Sequence, residues 1–490
     1  MRPGAATHRL GRDAVPLTPG SRTWIVRVPV GTSLDSLRRL PGVADVEADR
    51  TRVRTGSGDP LLAEQTYLQS IDWTPPDPGR RPLVAVLDTG VDRATPDLRG
   101  QIVAPLARSF IDGEPLVDRA GHGTHVTGTI AAVAGNGIGI AGVANARILV
   151  VKIADARGRA TTSSLVRGIR YAVSRKARII NVSFGGSGYS AVEQNAILDA
   201  RKAGALVVVA AGNSGRAGNR REYPGAYRHV LTVGAVRPDG AAILDSTRGP
   251  QVALAAPGKN ILSTAPKRRY QRRTGTSMAT AITSGAAARL LAQRPELDAS
   301  QLRSLLLDSA RDAGAAGPDE ATGWGVLDLA AALAMPTPPP DGPEPNDDAV
   351  RAQPEPAGLA GTGAAEAIVE GAVERWGDPK DDYRVRAQAG DVLELAVDAQ
   401  EGAALDPDLV LWLPGTPAFS AGPAYARRWL AATSLRPGPS ETIRFVVTET
   451  GTQTVEVQAS EGRGRYRLTI RRIPGPAVPP SAAGERPVAG

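Results

Sequence analysis

Hydrophobic and polar positions along this chain change rhythm several times, and each change predicts a different piece of structure. Between 23 and 54, Trp24-Ile25-Val26-Arg27-Val28 alternates as a strand does, Ser33 is placed to cap a short helix carrying Leu34, Leu37 and Leu40, and 43–53 alternates again. Three such elements make a thin core, so this β-α-β piece is expected to pack on something else. From Asp59 to Met335 short apolar, β-branched runs at 83–87, 148–153, 179–184, 206–211 and 230–233 alternate with helical stretches near 123–134, 162–175, 191–203 and 277–293. That alternation predicts an α/β fold, a mostly parallel sheet with helices on both faces, whose ligands bind beyond the carboxyl ends of the strands. Asp88 and Asn213 fall at such ends; His122 and Ser277 fall at helix starts.

Past 335 the rhythm changes once more. Residues 336–343 read as a proline-rich, extended linker. Runs at 382–385, 392–397, 409–413, 443–447, 454–457 and 466–470, separated by Gly, Pro or Asp turns, predict a separate all-β sandwich over 344–473. The final stretch, 474–490, is Pro/Ala/Gly-rich and reads as disordered. With 1–57 as an N-terminal segment and 58–335 as the α/β domain, the 490 residues divide comfortably.

Composition narrows the function. With 42% hydrophobic and 22% charged residues the chain has the balance of a soluble globular protein. It contains no cysteine, so neither disulfides nor thiolate chemistry enter, and the redox compartment is undecided. The net charge of +8 is scattered, and the densest basic run, Lys267 to Arg273, carries one aromatic ring, Tyr270, too few for a stacking platform. No nucleic-acid partner is therefore expected. No apolar run is long enough to span a bilayer, so no membrane partner is expected, and the first residues lack a signal-type apolar stretch.

Three short motifs carry candidate chemistry: Val86-Leu87-Asp88-Thr89-Gly90, Gly121-His122-Gly123-Thr124-His125 and Gly275-Thr276-Ser277-Met278-Ala279. An acid, a base and a hydroxyl are what acyl transfer requires. No histidine lies downstream of Ser277, the last being His229, which excludes the Ser…Asp…His order for this serine and leaves Asp…His…Ser. Each residue also has a plainer reading. Ser277 suits a helix N-cap, Asp88 a turn cap, and Asn213 a buried amide satisfying backbone groups. His122 and His125, three apart, could bind metal, but the zinc-protease pattern is absent, and polar packing against the sheet is favoured for His125.

Taken together with Asn181-Val182-Ser183-Phe184-Gly185, Ala210-Ala211-Gly212-Asn213, Ala256-Pro257-Gly258 and Gly323-Trp324-Gly325, these motifs resemble the subtilisin-like serine proteases over about 58–335. The resemblance implies a serine endopeptidase acting on protein or peptide substrates, with Ser277 as nucleophile, His122 as general base, Asp88 orienting the imidazole and Asn213 donating to the oxyanion. It implies that Ser183, Phe184 and Gly185 pair with substrate backbone, that Ala210, Ala211 and Gly212 line the pocket for the cleaved residue, and that Thr162 and Leu165 lie near an outer pocket. Phe184 and the 210–212 edge suggest a medium or large apolar side chain at the cleaved position.

Asp97 and Asn136 resemble a structural calcium site, in a loop one residue longer than the family's. After Ser277-Met278-Ala279 the family has Ser or Thr and then Pro-His, whereas this chain has Thr280-Ala281-Ile282. Losing that proline relaxes the first helical turn without touching the nucleophile. Residues 23–54 resemble the end of a subtilase inhibitor propeptide, which implies an N-terminal inhibitory segment and self-cleavage between about Arg54 and Asp59. Glu344-Pro345-Asn346-Asp347, Asp381-Asp382-Tyr383 and Ala389-Gly390-Asp391 resemble the pre-peptidase C-terminal sandwich of secreted bacterial proteases. A secreted monomer is the expectation, with residence in the cytoplasm the alternative. The rival functional reading is a catalytically silent scaffold that keeps the fold.

Overall fold

A computed structural model of the chain describes residues 15–16, 23–26, 32–41, 43–44, 46, 58–341, 344–346, 351–416 and 427–476. The chain divides into two compact units, 1–57 and 58–490. In the first, β1 (Val15–Pro16) pairs antiparallel with β2 (Trp24–Ile25). Helix α1 (Leu34–Arg38) follows Ser33, whose side chain makes no capping bond, and it buries none of its residues. Of the alternating stretch expected at 43–53, Val43, Ala44 and Val46 are neither helix nor strand, and the rest lies outside the described residues.

The second unit opens with α2 (Thr66–Ser70) and then builds a parallel sheet. Its seven strands are β3 (Leu83–Asp88), β4 (Arg108–Ser109), β5 (Arg147–Lys152), β6 (Ile179–Val182), β7 (Leu206–Ala210), β8 (Val230–Val236) and β9 (Leu254–Pro257), in the order β4-β5-β3-β6-β7-β8-β9. Helices α3 (His122–Ala131), α4 (Thr162–Ser174), α5 (Ala191–Lys202) and α6 (Thr276–Gln293) cover it. Alternation along β3 shows why the strands read as unbroken apolar runs. Val84 and Val86 enter one core layer with Val126 of α3 and Ile282 of α6, while Ala85 and Leu87 enter the other with Leu165 and Ile169 of α4. Both faces are dry, and each fully buried Val or Leu contributes roughly 1.5–3 kcal/mol. Helix α6 is buried nearly all round, which explains its small-residue sequence, Ala279-Thr280-Ala281 and Ser284-Gly285-Ala286. A methyl group on Gly285 would lie 2.6 Å from Val143 Cβ.

Pattern reading passed over β9 and the hairpin of β10 (Ile261–Ala265) and β11 (Arg269–Arg273). Arg269-Tyr270-Gln271-Arg272-Arg273 has no apolar face to announce a strand. Helices α7 (Ala299–Asp308) and α8 (Leu329–Ala334) close the α/β part.

The rest of this unit is antiparallel: β12 (Ala365–Glu374), β13 (Lys380–Ala387), β14 (Val392–Ala399), β15 (Ala404–Trp412), β16 (Leu430–Ser434), β17 (Ser440–Val446) and β18 (Gly451–Ile473). Residues 454–457 and 466–470, expected as two strands with a turn between, belong to the single strand β18. Its first half pairs with β13 and β15, its second with β12 and β14. Gly462, between the two expected runs, is a kink inside that strand at φ +71, where any Cβ would lie 1.6 Å from Ala404 O. The predicted tail falls almost wholly outside the described residues. The β-region docks on the α/β part through the paired Arg303 and Glu374 side chains, with nitrogen–oxygen distances of 2.9 and 2.7 Å, and through His229 N–H donating to Gly377 O at 2.8 Å.

Candidate active site

Strand β3 lies between β5 and β6, so the chain runs by way of α3 to one side of it and by way of α4 to the other. The carboxyl end of β3 is therefore the switch point of the sheet, where a crevice opens. Asp88 is its last residue and is buried. One carboxylate oxygen accepts from Thr89 N–H at 2.7 Å, and the two oxygens lie 2.8 and 3.0 Å from His122 Nδ1. Because a carboxylate only accepts, Nδ1 carries the proton and Nε2 keeps its lone pair.

His122 opens α3, and its neighbours explain how it comes so close. Gly121 sits at φ +77, and Gly123 packs against the β3 turn so tightly that a Cβ there would lie 2.2 Å from Gly90 O and 3.1 Å from Asp88 Cβ. No side chain at the N-cap closes the helix. Its free N–H groups go to distant partners: Gly123 N–H donates to Thr89 Oγ1 (3.0 Å) and Thr124 N–H to Asp118 Oδ2 (2.8 Å). Asp118, buried, also accepts from Gly121 N–H, Thr124 Oγ1 and Thr89 Oγ1 at 2.7–2.8 Å. Behind it the buried Lys152 donates to Thr89 O (2.7 Å) and pairs with Glu114 at 3.2 Å. Burial pushes the His122 pKa down, but the charge and hydrogen bond of Asp88 push it up further, so it lies above the ordinary 6.5.

Ser277 is the second residue of α6. Its Oγ donates to Ser183 O at 3.2 Å, and the next residue in that segment, Phe184, stands edge-on against the His122 ring with centroids 5.7 Å apart. Hydroxyl and imidazole thus flank the same two residues, 183 and 184. No hydrogen bond joins them among the described residues, and His122 Nε2 accepts from none. Segment 181–183 is fastened to α6: Asn181 Nδ2 donates to Ser183 Oγ (3.0 Å), Ser183 Oγ donates to Ser277 O (3.1 Å), and Ser284 Oγ donates to Asn181 Oδ1 (2.9 Å).

Asn213 follows Gly212, which sits at φ +110 just past β7. Its Oδ1 accepts Thr276 N–H at 3.0 Å, which fixes the amide so that Nδ2 points the other way, with no acceptor among the described residues. Neither Nδ2 nor the Ser277 N–H has an acceptor among the described residues.

Of the other expected site residues, Ser183 is buried, Phe184 half-buried and Gly185 exposed, while Ala210, Ala211 and Gly212 are buried. Leu165 is a core residue, 5% exposed, packed in the layer with Leu87, Val151 and Ile153; Thr162 is exposed. His125 is structural: its Nε2 lies 3.0 and 3.1 Å from the carbonyls of Ile261 and Gln271, and burial pushes its pKa down to about 3. Asp97 Oδ1 accepts from Asn136 Nδ2 (2.9 Å), and Oδ2 accepts from Ile140 N–H (2.9 Å) and Tyr270 OH (3.0 Å). Asp59 accepts Gly135 and Gly137 N–H from the same loop, at 2.8 and 3.1 Å. Burial and the neighbouring Asp59 charge raise the Asp97 pKa. Sequence reading missed Asp118, Lys152 and Asp59. A charged residue closing the buried run Val150-Val151-Lys152 was a usable signal; the other two sit in polar loops that look like any others.

Fold and site together are those of a subtilisin-like serine endopeptidase, a hydrolase. The chain belongs to the subtilase family, peptidase S8, whose profile matches residues 79–325. It is 43% identical over 226 residues to the major intracellular serine protease of Bacillus subtilis, a match covering 44% of this chain and 70% of that protein. To subtilisin DY of Bacillus licheniformis it is 38% identical over 235 residues, 47% of this chain and 84% of the relative. Among solved structures, a psychrophilic subtilisin-like protease of the Antarctic psychrotroph Pseudoalteromonas sp. AS-11 aligns over 52% of this chain and 92% of its own, with 23% identity and a TM-score of 0.47. No helix of the described residues is long and apolar enough to cross a membrane.

Proposed function

We propose that the chain cleaves internal peptide bonds through an acyl-enzyme on Ser277, with Asp88 and His122 as the other members of the triad and Asn213 as oxyanion donor. The observation that carries this is the double approach of the Asp88 carboxylate to His122 Nδ1, at 2.8 and 3.0 Å, which leaves Nε2 as the free base. In this reading the Ser277 hydroxyl leaves Ser183 O and turns to Nε2. Oγ attacks the peptide carbonyl carbon while Nε2 takes its proton. Asn213 Nδ2–H and Ser277 N–H receive the oxyanion, and His122 then gives the proton to the departing amine. Water repeats the sequence to free the acid. Treatment with a fluorophosphonate probe tests this reading: a single adduct on Ser277 is expected, and a protein left unlabelled after removal of 1–57 is instead the silent scaffold.

We also propose that residues 23–54 restrain the enzyme until it cuts itself between about Arg54 and Asp59. N-terminal sequencing of active protein decides this, and an intact Met1 refutes it. Calcium is proposed at Asp59, Asp97 and Asn136. Two buried carboxylates face one glycine-rich loop without a cationic partner among the described residues; their oxygens accept N–H and O–H groups there, Asn136 Nδ2–H among them, and a hard divalent ion would take the place of those donors. Its contribution there would be to hold the loop. Export is proposed from the resemblance of 344–473 to sandwiches of secreted proteases; detection in the medium rather than in the cell tests it.

A further inference from the structure

The segments that the resemblance assigns to the pocket for the cleaved residue enclose a carboxyl side chain. The two backbone walls, 183–185 and 210–212, end in Gly185 and Gly212, and the side chain of Glu222 lies between them. A Cβ on Gly212 would sit 2.4 Å from Glu222 Cδ, and one on Gly185 would sit 2.9 Å from Glu222 Oε2. Only glycine on both walls leaves room for that carboxylate. Asn213, on the same turn, supplies the spare Nδ2 donor, so the carboxylate stands next to the place where the scissile carbonyl would rest.

One oxygen of Glu222 is tied down. Oε1 accepts Asn213 N–H at 3.2 Å and Thr247 Oγ1–H at 3.3 Å. Oε2 accepts no hydrogen bond, and no ion pair reaches Glu222, among the described residues. The adjacent Arg221 is engaged elsewhere, stacked over the Trp376 ring at 5.2 Å. Glu222 is half-buried, so a substrate side chain filling the pocket would strip water from it. An apolar side chain would then leave a desolvated carboxylate without a counter-charge, which is costly. A guanidinium or ammonium would supply one through a charge-assisted hydrogen bond.

We propose that Glu222 is the specificity-determining residue of this site and that the enzyme cleaves after Arg or Lys. This rests on the protease reading above and replaces the apolar preference that Phe184 and the 210–212 edge suggested. It also gives the self-cleavage a point of attack, since the stretch before the catalytic fold reads Arg50-Thr51-Arg52-Val53-Arg54.

The test uses the full chain and a set of peptide amides differing only in the residue before the scissile bond: Arg, Lys, Phe or Leu. Fluorophosphonate labelling of Ser277 is measured on the same preparation. With unlabelled wild-type enzyme from a preparation in which a separate aliquot labels at Ser277, kcat/KM for Arg should exceed that for Phe by about 10²-fold, the scale expected when a buried charge gains or lacks its partner. Glu222→Gln, which keeps the shape, should lower the Arg value by about 10²-fold and raise the Phe value. A preparation whose Ser277 labels in a separate aliquot and whose unlabelled enzyme cuts after Phe or Leu as well as after Arg overturns the proposal and leaves the protease reading standing. A Glu222→Gln enzyme that keeps its Arg preference overturns it equally. Failure of Ser277 to label removes both.

Discussion

Four side chains carry the proposed chemistry, and their surroundings set how much each should matter. The Asn213 side chain is held through Oδ1, which accepts from Thr276 N–H and Thr276 Oγ1–H, and its amide nitrogen has no acceptor among the described residues. Asn213→Ala should therefore cost about 10²–10³ in kcat with little change in KM, a magnitude carried over from subtilisin rather than obtained from this site. Steady-state kinetics on one peptide substrate checks it. The pH dependence follows from His122. Its pKa is raised because Asp88 favours the imidazolium, and the base must be neutral to accept the Ser277 proton. Activity should be low at acid pH and rise through a midpoint above 6.5. In Asp88→Asn that midpoint should fall and kcat should drop by about 10⁴-fold, because the amide favours the wrong tautomer. A pH–rate profile of both enzymes reads this out, and a wild-type profile flat between about pH 5 and 9 would refute the base assignment. All four residues stand out as candidates in the sequence, because each sits in a short motif with a distinctive order. Asp118 and Glu222 do not, because their meaning lies in the residues that they touch.

At the scale of elements, α3 and α6 are the parts that bring the site together. Helix α3 reaches Asp88 only because Gly123 has no side chain. Gly123→Ala would force the helix away from Gly90 O, and a displacement near 1 Å at a reacting group costs about 10²-fold in rate. The expectation is a loss of kcat of that size in an enzyme that still folds, seen by kinetics and thermal unfolding on the same sample. Asp118 performs for α3 what an N-cap side chain usually does, from outside the helix, by accepting four hydrogen bonds. Asp118→Ala should cost about 3 kcal/mol of stability, measured by denaturant unfolding of the Ser277→Ala form to prevent self-digestion. The strand–helix alternation of 83–293 could be read from the sequence because periodicity is local. The β10–β11 hairpin could not, since Arg269–Arg273 is polar on both faces and owes its structure to register with Ile261–Ala265.

Across the whole second unit, the contact between the α/β part and the β-region is rich in charge. Arg303 and Glu374 are each 12% exposed, so each depends on the other. Nearby, burial pushes the Asp341 pKa up to about 8, reinforced by the charge of Asp381 and opposed by Arg201, Arg465 and a hydrogen bond from Ala372 N–H. A carboxyl raised in the folded state contributes stability that is complete below its unfolded value of 3.8 and is lost as pH rises through 8. Stability should therefore decline over the same range in which activity climbs. Thermal unfolding of Ser277→Ala from pH 4 to 9 should show that decline, and Asp341→Asn should flatten it. The proposed calcium would act at this scale as well. If Asp59, Asp97 and Asn136 hold an ion, a chelator should lower Tm, and Asp97→Asn should abolish the difference between chelated and calcium-loaded enzyme.

The sequence by itself determined which residues could do chemistry here, and the order of strands and helices that carries them, because both are written in short stretches of neighbouring residues. Tertiary structure alone decided which of those residues meet. It made one bent strand, β18, out of two apparent ones, because four partner strands hold it from both sides. It closed α3 with Thr89 and Asp118, and it set Glu222 between two glycines 37 and 10 positions earlier in the chain. Such contacts are fixed by packing and by the need to satisfy buried polar groups, and neither leaves a periodic trace in the sequence.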